Sequence, residues 1–171
     1  YSSIAGGAGN TASTGGYNFV GGGVSNSASG VYGRSVVAGG DTNKACGTGW
    51  AAVLGGYNNT ASGYMATVGG GHTNTANSTR AGVFSGRQNT ASNGASFVGG
   101  GCLNTASGVY SAVAGGISNT ASGACSAVLG GSGNSATGSY SGAFGCGVTN
   151  SCDCSFMSNL LRACNLFGQI A

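Results

Sequence analysis

The sequence predicts an all-β fold, a parallel β-solenoid of about ten 15-residue coils with two short strands per coil and an irregular C-terminal cap. Three observations carry the prediction. An Asn recurs along the chain at nearly constant spacing. Around it, small or apolar residues alternate with polar ones at the period of two that marks a strand. Glycines interrupt that alternation twice in most repeats, where the chain must turn.

Taking the recurrent Asn as position 1, the column reads Asn10, Asn26, Asn43, Asn59, Asn74, Asn89, Asn104, Asn119, Asn134 and Asn150. Five successive spacings, from Asn59 to Asn134, are 15 residues, and the best copy runs from Asn104 to Ser118. Longer copies add residues near Gly15, Gly33-Arg34 and Thr48-Gly49. Insertions confined to one place mark an exposed turn. Each repeat splits into two similar halves, x-x-Asn-x-Ala-x-Gly and x-x-Ser-x-Val-x-Gly-Gly. Two strands and two turns then make one coil. Stacking coils at about 4.8 Å gives a rod roughly 45 to 50 Å long. Tyr1 falls at position 7, so the chain is expected to be a segment of a longer protein or a processed product.

Alternation assigns each column to the inside or the outside. The inward column at position 3 reads Ala12, Ala28, Ala45, Ala61, Ala76, Ala91, Ala106, Ala121, Ala136 and then Cys152. The inward column at position 10 reads Ile4, Val20, Val37, Val53, Val68, Val83, Val98, Val113, Val128 and then Ala143. Small residues facing β-branched ones make a thin core with no room for a ligand. The Asn column is expected to form a buried amide ladder. Gly at positions 5, 12 and 13 is expected to supply turns of positive φ.

Two outward faces follow. The first carries Thr11, Ser13, Thr60, Ser62, Thr90, Ser92, Thr105, Ser107, Thr120 and Ser122, a flat hydroxyl array. It is read as a solvated strand face, with a surface for ice, ordered water or glycan as the sharper alternative. The second carries Phe19, Val36, Leu54, Phe84, Phe97, Ala112, Leu129 and Phe144, without charge, and each Phe shares its repeat with a Gly. An apolar strip along a rod exceeds what a soluble monomer usually exposes. It is therefore the predicted oligomer interface. Aromatics at position 7, among them Tyr17, Tyr32, Trp50, Tyr110 and Tyr140, lie between the faces. They are read as sealing the margin of that interface, with a stacking ladder for sugars as the alternative.

Composition removes other classes. Charged residues are 4% of the chain, against about 25% in ordinary domains. With a net charge of only +3, nothing repels the chain into extension, and its regular apolar columns argue against disorder. Arg34, Lys44, Arg80, Arg87 and Arg162 are scattered, so no nucleic-acid partner is expected. No run approaches the roughly 18 apolar residues of a membrane span, so no membrane insertion is expected. Catalysis has little to work with, because Asp41, Asp153 and His72 are the only acids and the only imidazole. Asp41 and His72 share position 14 two coils apart, too far for a hydrogen bond. No enzyme activity, metal or cofactor is expected. Asn58-Asn59-Thr60 and Asn77-Ser78-Thr79 match the glycosylation sequon.

Seven cysteines occupy different positions, so they form no axial ladder. Four of them follow residue 145, which suggests a stapled end with Cys146 and Cys164 as the candidate disulfide pair. The odd count permits an interchain bridge. Residues 1–150 are taken as the repeat domain and residues 151–171 as a C-terminal cap or junction, with Leu160, Leu161, Leu166, Phe167 and Ile170 suiting a short helix or cap.

The paired half-repeats resemble the left-handed parallel β-roll heads of trimeric autotransporter adhesins, and related-looking repeats occur in phage and giant-virus fibre proteins. The resemblance covers residues 1 to about 150. It implies three rolls packing their apolar faces around a threefold axis, a homotrimer as partner, and a place outside the cell or on a cell or virion surface, where a glycan or receptor would be met. The repeat here is slightly longer than the adhesin one. The halves also look like the β-roll of grass ice-binding proteins, written x-x-Asn-x-Val-x-Gly, which implies an ice-binding Thr/Ser face as the alternative function.

Overall fold

The computed structural model describes residues 1–159. They form a parallel β-solenoid. Alternate strands along the chain enter an 11-stranded sheet and a 10-stranded sheet, and in each sheet every strand pairs with the next strand of its own kind. The register is that of the repeat. Thr75 lies between Thr60 and Thr90, and Val83 lies between Val68 and Val98. One repeat is therefore one rung.

Most strands are only two residues long, such as Thr90–Ala91 and Phe97–Val98. The first residue of each faces out and the second faces in. The inward Ala and Val columns are completely buried from Val20 to Ala136. A third inward column, at position 8, holds Ser35, Ala51, Ala66, Ala81, Ser96, Ser111, Ser126 and Ser141, all buried. Such small side chains hold the two sheets close together.

The Asn column forms the expected amide ladder. Asn74 Nδ2 donates to the carbonyl of Gly70 in its own rung and to that of Gly86 in the next, both at 2.8 Å. Its Oδ1 accepts the backbone N–H of Asn89 at 2.9 Å. One side chain thus satisfies three backbone groups in two successive turns, and from Asn26 to Asn134 it does so out of water.

Glycine has two separate roles in the turns. At position 13 the φ values run near +90°, as at Gly86 (+94°) and Gly101 (+88°), and a Cβ on Gly86 would collide with the Gly101 carbonyl oxygen. At position 5 the glycines have no positive φ. There Gly63 and Gly108 are needed because a Cβ would strike the next rung's backbone. Most non-glycine residues of positive φ fall at positions 7 and 15, including Trp50 (+52°), Arg80 (+58°), Thr73 (+56°) and Gln88 (+55°). This local conformation costs on the order of 1–3 kcal/mol. It also reverses the hydrogen-bond direction. Tyr57 N–H bonds forward to Gly71, whereas Thr73 N–H bonds back to the Tyr57 carbonyl. Both neighbouring rungs are thereby tied to each corner.

The register departs from the sequence reading at two places. In the lengthened third coil Arg34, not Tyr32, takes the left-handed corner position. Near the C-terminal end one rung is a residue shorter, and Gly130 pairs with Phe144 across a bulge at Leu129. Val148 then occupies the Asn column, accepting the role of backbone donor to Asn134 Oδ1. Asn150 pairs with Ala136 and points into the Ala column, fully buried, while Cys152 is exposed rather than inward. Asn150 Nδ2 is satisfied there by the Gly142 and Ser155 carbonyls. The ladder continues past it, because Phe156–Ser158 pairs with Gly142–Cys146. Leu160, Leu161, Leu166, Phe167 and Ile170, read as a cap, lie outside the described residues.

Candidate interaction faces

The solenoid presents two faces and two corners. The apolar face is built by positions 9 and 11 of the 11-stranded sheet. Phe84 is 68% exposed, Leu54 and Leu129 are 58% exposed, and Phe19, Phe97 and Phe144 are 39–46% exposed. The strip is interrupted once, by Thr67 and Gly69 between Leu54 and Phe84. That interruption makes a groove of about 160 Å³, lined by Leu54, Thr67, Gly69, Gly82, Val83, Phe84 and Phe97. Val36 and Ala112 are half-buried in the same ladder.

The pairing of Phe with Gly has partly an intrachain cause. A Cβ on Gly82 would touch the Phe97 ring at 3.4 Å, and Phe156 lies in the same way over Gly142. At position 11, Gly69 and Gly99 are fixed because a Cβ would run into the next rung's carbonyl. Each rung nevertheless carries at most one bulky side chain on this face.

The hydroxyl face is built by positions 2 and 4 of the 10-stranded sheet. Thr60, Thr75, Thr90, Thr105 and Thr120 stand in direct register. Their hydroxyls make no hydrogen bond within the described residues. Thr11 and Ser13 begin the face, and Ser62, Ser92, Ser107 and Ser122 form a parallel second row broken by Asn77. Lys44 and Cys46 break both rows in the third rung.

One corner carries a third ladder that the sequence did not disclose. Single-residue parallel bridges link Val24, Asp41, Tyr57, His72, Arg87, Cys102 and Ile117. Tyr57 stands between Asp41 and His72, so these two are two rungs apart. His72 stacks on Tyr57 at 5.1 Å, Thr42 Oγ1 donates to Asp41 at 2.6 Å, and Arg87 contacts Cys102 Sγ at 3.3 Å. The signal was present in the shared position of these residues, but their chemical variety hid the pairing.

The opposite corner carries the aromatics. Tyr1 and Tyr17 stack at 5.3 Å, and Trp50 meets Tyr64 edge-on at 5.5 Å. Arg34 lies 5.0 Å over the Trp50 ring.

No protein-family model matches the chain, and no curated protein matches its sequence. The functional reading therefore stands on the faces themselves. Among the described residues no three His, Cys, Asp or Glu side chains converge as metal ligands would. The six described cysteines are free thiols, and Cys146 is exposed. The disulfide expected for Cys146 does not form with any described residue, and Cys164 lies outside them.

Proposed function

We propose that the chain is a non-enzymatic structural or adhesive fibre segment, a rod that assembles as a homotrimer through its apolar face into a viral fibre, surface appendage or adhesin outside the cell. The observation that carries this reading is the exposure of Phe19, Leu54, Phe84, Phe97, Leu129 and Phe144 along one side of a single rod. Leaving so much apolar surface in water is unfavourable by about 25 cal/mol per Å². A cyclic assembly covers it with copies lying parallel and in register. Position 9 of one copy then meets position 11 of its neighbour at the same height, in a heterologous contact that closes. With one bulky residue per rung, large meets small all along the rod. The resemblance to adhesin heads and viral fibres points the same way.

The test is Phe97→Asp, studied by light scattering after size exclusion. A charge without a partner in the dry centre of a contact should dissociate the assembly or destabilise it strongly. Unchanged mass and unchanged melting would count against the interface.

An ice-binding face is the second reading, favoured by the five threonine hydroxyls held in register and without a hydrogen-bond partner among the described residues. Such a row presents hydroxyls every 4.8 Å or so. Thermal hysteresis that disappears on Thr90→Tyr would support it. Its absence at millimolar protein would rule it out.

A further inference from the structure

The aromatic corner is lengthened where the Asn column spaces out, between Asn26 and Asn59. The extra residues gather Tyr32, Arg34, Trp50 and Tyr64. Tyr32 is 69% exposed and Trp50 is 44% exposed, so these rings are not spent on the core. Gly49 sits between two of them. A Cβ on Gly49 would lie 3.7 Å from the Tyr64 ring and 3.8 Å from the Tyr32 Cβ, so the backbone there runs between these two aromatic side chains. The Arg34 guanidinium lies 5.0 Å above the Trp50 ring and has no carboxylate partner among the described residues. The two acids of the chain lie elsewhere, Asp41 on the opposite corner and Asp153 at the last rung, where it holds the Ser139 N–H.

We propose that this corner binds an acidic saccharide, with a pyranose ring stacked on the exposed aromatic faces and its anionic group on Arg34. The chemistry fits at each point. Aromatic side chains with a polar end offer an apolar plane and a wet edge. A planar guanidinium reads a carboxylate or a sulfate with paired hydrogen bonds. Stacking on Trp50 holds the guanidinium in place and limits the freedom it loses on binding. The site does not depend on the assembly of the rod, because every residue comes from neighbouring rungs of one chain.

Trp50 is the single tryptophan of the chain, so its emission reports on this corner alone. The intact protein should be titrated with a hexagalacturonate, a heparin-derived hexasaccharide and neutral cellohexaose. A saturable change in Trp50 emission is expected with an acidic probe and not with cellohexaose. The response to the first two probes tells whether carboxylate or sulfate is the group recognised. Arg34→Gln and Tyr32→Ala should each weaken binding about tenfold or more while leaving the melting temperature within a few degrees of the parent. Arg87→Gln, on the opposite corner, should leave it unchanged. The proposal is overturned if no acidic probe gives a saturable response, if cellohexaose binds as well, or if Arg34→Gln and Arg87→Gln lose the same affinity. The last result would mean that net charge alone is being read.

Discussion

Replacing Asn89 with alanine removes one member of the amide ladder from the middle of the rod. Its Nδ2 donates to the Ser85 carbonyl at 3.0 Å and to the Gly101 carbonyl at 2.9 Å, and its Oδ1 accepts the Asn104 N–H at 2.9 Å. The Gly101 carbonyl keeps a second donor, the Arg87 N–H. The half-buried Ser85 carbonyl and the fully buried Asn104 N–H are left without a partner. An orphaned buried group costs about 1–3 kcal/mol, and the half-buried one less, so the expected loss is about 2–4 kcal/mol. Asn10 makes the same set of bonds at the exposed end, where both carbonyl bonds are open to water and only the bond from the Asn26 N–H is part-buried. Asn10→Ala should therefore cost about 1 kcal/mol or less. Urea denaturation followed by circular dichroism, at one fixed protein concentration, compares the two. Equal losses, or a greater loss at Asn10, would refute the claim that the ladder stabilises by satisfying buried backbone.

The turn chemistry gives a second contrast. Gly101→Ala puts a Cβ at φ +88° into the Gly116 carbonyl and should abolish folding, whereas Gly115→Ala has open space around it and should be neutral or stabilising by about 0.4–1 kcal/mol. Thermal melts of the two variants decide it, and similar melts would contradict the steric argument. The Ser126 hydroxyl is buried without a hydrogen-bond partner among the described residues, and Ala51, Ala66 and Ala81 fill the same column elsewhere. Ser126→Ala should leave stability unchanged or raise it by about 1 kcal/mol. A marked loss would mean that the hydroxyl has a partner, such as the turn carbonyl that Ser96 reaches in its own rung.

The columns were legible because repetition separates signal from accident. Ala61 alone says little, but Ala at the same place in nine coils, opposite Val, assigns an inside. The Asn ladder follows from the same repetition, since a buried amide at every rung must be satisfied by its neighbours. Single events were not legible. Asn150 has the letter of the Asn column, yet a one-residue shortening beyond Leu129 moves it into the Ala column. Tyr32 has the letter of the aromatic column, yet the insertion hands that corner to Arg34. The left-handed corner residues range from Ala95 to Trp50, because a side chain pointing into solvent is free to vary. On the candidate faces, the bulky residues could be named from sequence. The intrachain seat of Phe97 on Gly82 needed the register in three dimensions.

The mass of the unaltered chain in solution decides whether the apolar face joins copies of the rod. Multi-angle light scattering of the freshly purified protein at tens of micromolar should give three times 16.1 kDa if the apolar face joins parallel copies. A monodisperse species of 16.1 kDa, with Phe84 and Phe97 left in water, would contradict it.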